Sequence, residues 1–219
     1  MNAIAQISYA GSQMPEAVQA EAVAALEDGR IVFLENLGFK FSEAEQALFG
    51  SSLGDGVQKN ITLDPYLGKL SGVGETGEQT RNMIEGMLSR YRATTQNWLA
   101  NILGPYADHL EPRRTTYRPV EIAGRKKIGK VSEDKAYRFD DSLLHLDAFR
   151  RRPIRGNRIF RIFTNINPHG KPRTWKVGHG FEAFARRYLE DIPEPRFGEG
   201  FKTMALAAHA LRSRHAEPA

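Results

Sequence analysis

The chain has 219 residues, 41% of them apolar and 26% charged, enough for one hydrophobic core and too few for two independent ones. It contains no cysteine, which excludes disulfides and thiolate metal sites, so a metal would have to be held by His, Asp or Glu. The formal net charge of +5 is unevenly spread: residues 1–112 carry 7 basic and 14 acidic side chains, 113–173 carry 17 and 6, and 174–219 carry 7 and 6, so the middle segment is where an anion would be drawn.

At the N-terminus, Met1 to Pro15 has no basic region followed by an apolar run. No stretch reaches the roughly 18 consecutive apolar residues that span a bilayer, and a cytoplasmic location is the expectation. Pro15 to Asp28 alternates Ala, Val and Leu with Glu and Gln at helical spacing and predicts a helix ended by Gly29. Ile31 to Leu34 predicts a buried strand, and Ser42 with Glu45 three residues on is a capping-box pattern opening a short helix through Phe49. The glycines between Gly50 and Gly77 predict a loop draped over the surface. From Thr76 or Glu78 the residues Met83, Met87, Leu88, Tyr91, Trp98, Leu99, Ile102 and Leu103 recur at helical steps until Gly104 and Pro105, a stripe expected to pack as core.

After Pro112 the texture changes. Thr115 to Ile122, Leu143 to Phe149 and Arg158 to Ile166 are strand-like runs bounded by Gly, Pro, Asn and Asp. Phe181 to Tyr188 returns to helical spacing, Pro193 to Gly200 is a breaker-rich loop, Phe201 to Arg214 is helical, and Glu217 to Ala219 is expected to be disordered. The division is a mainly helical part, 1–112, packing on a β-rich part, 113–219, the two forming one structural domain.

Within Leu143 to Phe149, His145 and Asp147 are separated by one residue, and strand alternation puts them on one face. An imidazole and a carboxylate side by side can supply two of the three ligands of a two-histidine, one-carboxylate facial triad, which leaves one face of iron open for oxygen and an organic cosubstrate. His-x-Asp also arises as a surface or hydrogen-bonded core pair, and the pattern alone leaves both readings open.

The neighbourhood of that pair resembles the Kdo hydroxylase family. The matching stretches are Arg114 to Glu121 (RTTYRPVE), Asp140 to Phe149 (DDSLLHLDAF), Arg158 to Pro168 (RIFRIFTNINP) and Pro172 to Gly178 (PRTWKVG), with weaker agreement over Leu26 to Glu45 and Lys59 to Gly72. The resemblance implies an α+β chain whose core is a double-stranded β-helix, or jelly roll, with flanking N-terminal helices. It further implies Fe(II) held by His145 and Asp147, 2-oxoglutarate as cosubstrate, and hydroxylation of Kdo on lipid A, an anionic glycolipid that would bring the protein to the inner-membrane face. Nucleic acid is not expected as a partner.

Neighbouring side chains extend this reading. Tyr117 can hydrogen-bond a cosubstrate carboxylate or serve as a core aromatic. Asn165 can bond the keto-acid end of 2-oxoglutarate or, with Asn167, build the turn of NINP. Arg150, Arg151, Arg152 and Arg155 can grip carboxylates and phosphates through charge-assisted forks or form a solvated basic loop. Arg118, Arg158 and Arg161 alternate with apolar positions, and Arg118 and Arg161 are the better candidates for anion contact.

The sequence departs from the family in one respect that bears on activity. A facial triad needs a second histidine, which in the family comes from a late barrel strand and is followed by a basic residue that pairs with the distal carboxylate of 2-oxoglutarate. His169 and His179 lie in loop contexts, and His209 and His215 in a helical tail. The expectation is therefore a jelly roll lacking its last strands, with Lys126 to Ala136 as a surface insertion. Two other readings stand beside the oxygenase: a non-catalytic basic module binding anionic glycolipid or nucleic acid through 113–173, and an inactive oxygenase remnant.

Overall fold

The computed structural model describes residues 3–8, 11–35, 37–55, 58, 60–118, 157–175 and 177–188. Contacts divide the chain into two compact units, Met1–Leu144 with Phe160–Lys176, and His145–Ile159 with Val177–Ala219. In the first unit the described elements are β1 (Ile4–Ser8), α1 (Glu16–Glu27), β2 (Ile31–Glu35), α2 (Glu43–Gln46), β3 (Ile61–Asp64), β4 (Lys69–Ser71), α3 (Glu78–Leu103), a 3-10 turn over Gly104–His109, and β5 (Thr115–Tyr117). The second contributes α4 (Phe181–Tyr188), which carries an i,i+4 ion pair between Glu182 and Arg186.

β1 and β2 pair in parallel, Ile4 opposite Ile31 and Ser8 opposite Glu35. Parallel strands need a crossover, and α1 supplies it. Asp28 caps that helix, the amide of Gly29 donating to the Leu26 carbonyl and that of Arg30 to Ala25, the two bonds of a Schellman ending. Among the described residues, only one face of the strand pair is covered. Ala5 and Ile7 are buried and Val32 and Leu34 pack beside them, whereas Ile31 and Phe33 are exposed. The buried strand expected over Ile31 to Leu34 is thus half buried, because among the described residues the helix that packs on the two-stranded sheet covers one side.

The capping box opening α2 is present in full. The Glu45 amide donates to Ser42 Oγ at 3.2 Å, and the Ser42 amide to Glu45 Oε2 at 2.8 Å. The same carboxylate accepts from Arg90 Nη2 at 2.7 Å, and the Arg90 guanidinium lies 5.0 Å from the Phe39 ring centroid.

The glycine-rich stretch 50–77 is not a surface loop. It contains the hairpin β3–β4, which with β5 forms an antiparallel sheet of order β4-β3-β5, Ile61 opposite Tyr117 and Leu63 opposite both Leu70 and Thr115. Ile61 is fully buried, and Leu63 and Leu70 nearly so. Its glycines mark tight geometry: a Cβ on Gly72 would lie 2.3 Å from the Asn60 carbonyl oxygen. Because β5 pairs with β3, residues on both sides of position 112 share one sheet.

α3 is the spine of this unit. Its first half presents Ile84, Met87 and Leu88 to Leu53, Ile61, Leu63, Leu70 and Tyr117 of the three-stranded sheet. Its second half presents Trp98, Ile102 and Leu103 to Ile7, Met14 and Ala22 of the β1–α1–β2 layer. The helix stops at Gly104, where φ is +55° and an added Cβ would meet Gln19 Oε1 at 2.3 Å, while Gln19 Nε2 donates to the Asn101 carbonyl. Among the described residues no helix is long and apolar enough to cross a membrane.

The strand expected over Arg158 to Ile166 is not formed: residues 157–167 make no ladder with the described residues. Alternation nonetheless orders this run. Ile162 and Ile166 pack against the two cores, and the Thr164 hydroxyl lies 2.6 Å from that of Tyr91 on α3. Regular pairing requires a partner edge, which the local sequence does not reveal.

Candidate functional site

The described part of the site is built on two supports, the end of β5 and the run that packs across α3. Tyr117 closes β5 with its ring 3% exposed and its hydroxyl donating to the Leu48 carbonyl at 3.1 Å. Burial pushes its phenol up to about 12. Its one O–H proton is thereby engaged, so a cosubstrate carboxylate would have to compete with Leu48 for it. Arg118 follows directly, half-buried, with Nε donating to Asn60 Oδ1 at 2.9 Å. That bond ties the guanidinium to the residue that precedes β3.

Asn165 and Asn167 both build the turn that ends the α3-facing run. Asn165 Nδ2 donates to the Lys171 carbonyl at 2.9 Å and its Oδ1 accepts from the Asn167 amide at 3.2 Å. Asn167 Oδ1 in turn accepts from the amides of His169 and Lys171. Asparagine bonding its own backbone two residues on is the usual way such turns are fixed. Arg161 is exposed on the side of the run away from Ile162. His169 sits exposed in the turn and His179 exposed ahead of α4. His145, Asp147, Arg150, Arg151, Arg152, Arg155, His209 and His215 lie outside the described residues, as do the expected strand Leu143 to Phe149, the insertion Lys126 to Ala136, the loop Pro193 to Gly200, and the segment from Phe201 onwards. Among the described residues no three His, Asp or Glu side chains converge as a metal site.

Sequence reasoning did not single out the aromatic pair on this surface. Phe163 and Trp175 meet with ring centroids 4.6 Å apart, and the Arg173 guanidinium lies 5.1 Å from the centroid of Trp175. The available signal was the alternation of 161–165, which predicts that Phe163 shares a face with Arg161 and Asn165.

Comparison with known proteins decides the family. The sequence matches the 3-deoxy-D-manno-oct-2-ulosonic acid (Kdo) hydroxylase family over residues 10–217. The chain belongs to the Kdo hydroxylase family. Solved structures of the Kdo hydroxylase KdoO, a non-heme Fe(II) alpha-ketoglutarate-dependent dioxygenase, superpose closely. Its apo form is 33% identical, with a TM-score of 0.77 over 92% of this chain and 65% of KdoO. The cobalt(II) complex is 32% identical, with a TM-score of 0.78 over 93% and 66%. The complex with alpha-ketoglutarate and Fe(III) is 32% identical, with a TM-score of 0.76 over 92% and 65%. The chain thus spans just under two thirds of the length of these solved relatives. No curated protein matches it.

Proposed function

We propose that this chain acts as an Fe(II)- and 2-oxoglutarate-dependent dioxygenase that hydroxylates Kdo in the lipid A-linked inner core of lipopolysaccharide. The observation that carries the reading is the family match over 10–217, a span that includes His145 and Asp147. The donor set fits the metal: an imidazole nitrogen and a carboxylate oxygen, with no thiolate anywhere in the chain, suit a hard-to-borderline divalent ion such as Fe(II). When bound, the iron and 2-oxoglutarate supply the oxidation. Helices flanking a jelly roll are the architecture proposed for the catalytic core.

The chain's own residues bind and orient. His145 and Asp147 would hold the metal. Arg118, Arg150, Arg152 and Arg161 hold the anionic glycolipid, whose lipid portion brings the protein to the inner-membrane face. Tyr117 and Asn165 serve the cosubstrate, Tyr117 at the cost of its bond to Leu48 and Asn165 at the cost of its bond to Lys171. The test is incubation with Fe(II), oxygen, 2-oxoglutarate and Kdo-bearing lipid A, followed by mass spectrometry. Gain of one oxygen by the glycolipid with stoichiometric succinate is expected. Folded protein that yields neither overturns the reading.

A further inference from the structure

The hairpin of β3 and β4 turns over residues 65–68, and its tip carries the two most exposed large apolar side chains among the described residues, Leu67 at 73% and Tyr66 at 62%. The turn is held from inside. Asp64 Oδ1 accepts from the amides of Tyr66 and Leu67 at 3.1 and 3.2 Å, and its Oδ2 accepts from Arg114 Nε at 3.1 Å. The Tyr66 hydroxyl donates to the Pro112 carbonyl at 2.9 Å, which ties the tip to the segment entering β5 and brings 112–114 alongside it.

Scattered exposed apolar residues are ordinary, but these two are adjacent, rigidly presented and collared by cations. Lys69 is exposed and pairs with no carboxylate among the described residues. Arg113 pairs with Glu111, but the two side chains are 71% and 60% exposed, so the pair is weak and the guanidinium can exchange it for a phosphate. Arg114 is half exposed beside the Asp64 carboxylate that the turn already engages. Each anion of the collar is thus held by an arginine, and Lys69 remains as excess positive charge.

A small apolar tip inside a cationic ring complements a bilayer with anionic headgroups: the tip enters the acyl boundary while the long basic side chains stay at headgroup level. A stable protein partner would require a far wider contact than two side chains. Tyr66 suits the boundary, because Pro112 satisfies its hydroxyl when the ring leaves water. Strand register also gives a height. Tyr117 stands opposite Ile61, four residues along β3 from Pro65, a distance of about 13 Å. A seated tip would hold Tyr117 no further than that above the headgroups, where a sugar carried on a lipid stands.

We propose that the hairpin tip, Tyr66 and Leu67 with Lys69, Arg113 and Arg114 around them, is a membrane-docking surface that inserts into a bilayer containing anionic phospholipid. The inference rests on the lipid-linked substrate reading above and names the surface that serves it.

The full chain, without iron or 2-oxoglutarate, should be sedimented with vesicles of phosphatidylcholine alone and of phosphatidylcholine mixed with phosphatidylglycerol. Because the chain has no cysteine, Leu67→Cys and Phe33→Cys each give a single site for an environment-sensitive thiol dye, Phe33 being exposed on the β1–β2 pair as the rival surface. Binding is expected to the phosphatidylglycerol vesicles, weakening as salt is raised. It should fall about tenfold in Leu67→Ser and at least about fivefold in Lys69→Glu, with blue-shifted dye emission at 67 and not at 33. Equal binding to phosphatidylcholine alone, binding that Leu67→Ser leaves intact, or a blue shift at 33 and not at 67 contradicts the proposal. Absence of vesicle binding overturns it, and a concentration-dependent oligomer that Leu67→Ser abolishes would then assign the tip to a protein contact. With metal and cosubstrate absent, failure here leaves the oxygenase reading standing. Docking through Leu67 by a chain that assembles no iron–cosubstrate chelate would keep the surface and remove the oxygenase.

Discussion

Gly104 shows how much one position can decide. A 26-residue helix has to stop and turn into the 3-10 segment, and it does so with φ at +55° against the buried side chain of Gln19. Alanine there would adopt a disfavoured conformation and displace an amide that holds the Asn101 carbonyl. Gly104→Ala should lower stability by about 1–3 kcal/mol, read as a reduced urea midpoint at unchanged slope. Glu45 is the second such position. The hydrogen bond from Arg90 is the main reason its carboxyl lies below the ordinary 4.5, opposed by partial burial. A lowered folded-state value means that the stabilisation is present above about 4.5 and is lost as pH falls through the folded value. Glu45→Gln keeps the cap geometry and removes the charge. Because Arg90 is half exposed, the expected loss near neutral pH is about 1–2 kcal/mol, and the acid limb of a stability–pH profile should flatten. An unchanged acid limb would show that the pair is not coupled to folding.

At the scale of elements, what could be read from the sequence was what is encoded locally. α1 with its glycine ending, the Ser42–Glu45 box and the long stripe of α3 all depend on residues within a few positions of one another, and each lies where periodicity put it. The strands were less legible. β1 mixes Ile and Ala with Gln and Ser and has no signal apart from its pairing with β2. The β3–β4 hairpin was hidden by glycines that serve close approach rather than looseness, and its buried Ile61, Leu63 and Leu70 are spread over a turn. The run 158–166 was read as a strand from composition, yet only its side-chain alternation is realised among the described residues. The site followed the same division. Tyr117 and Arg118 could be placed on the strand-like run from Thr115, whose described part includes β5, and the turn-building role of Asn167 follows from NINP. The meeting of Phe163 with Trp175 depends on how two limbs fold back and could not be read from either limb alone.

For the molecule as a whole, family membership and chemistry rest on different supports. The family is fixed by a match across nearly the whole chain and by relatives one-third identical that superpose over 92–93% of it. The proposed reaction would turn on two side chains, His145 and Asp147, and on their ability to hold Fe(II) with 2-oxoglutarate. The most direct measurement is the visible charge-transfer absorption of the anaerobic protein mixed with Fe(II) and 2-oxoglutarate. A saturable band in the wild-type chain that disappears in His145→Ala and Asp147→Ala, with the fold of both variants intact, is the expected result. A well-folded wild-type chain without the band, or a band that persists in both variants, would contradict the assignment.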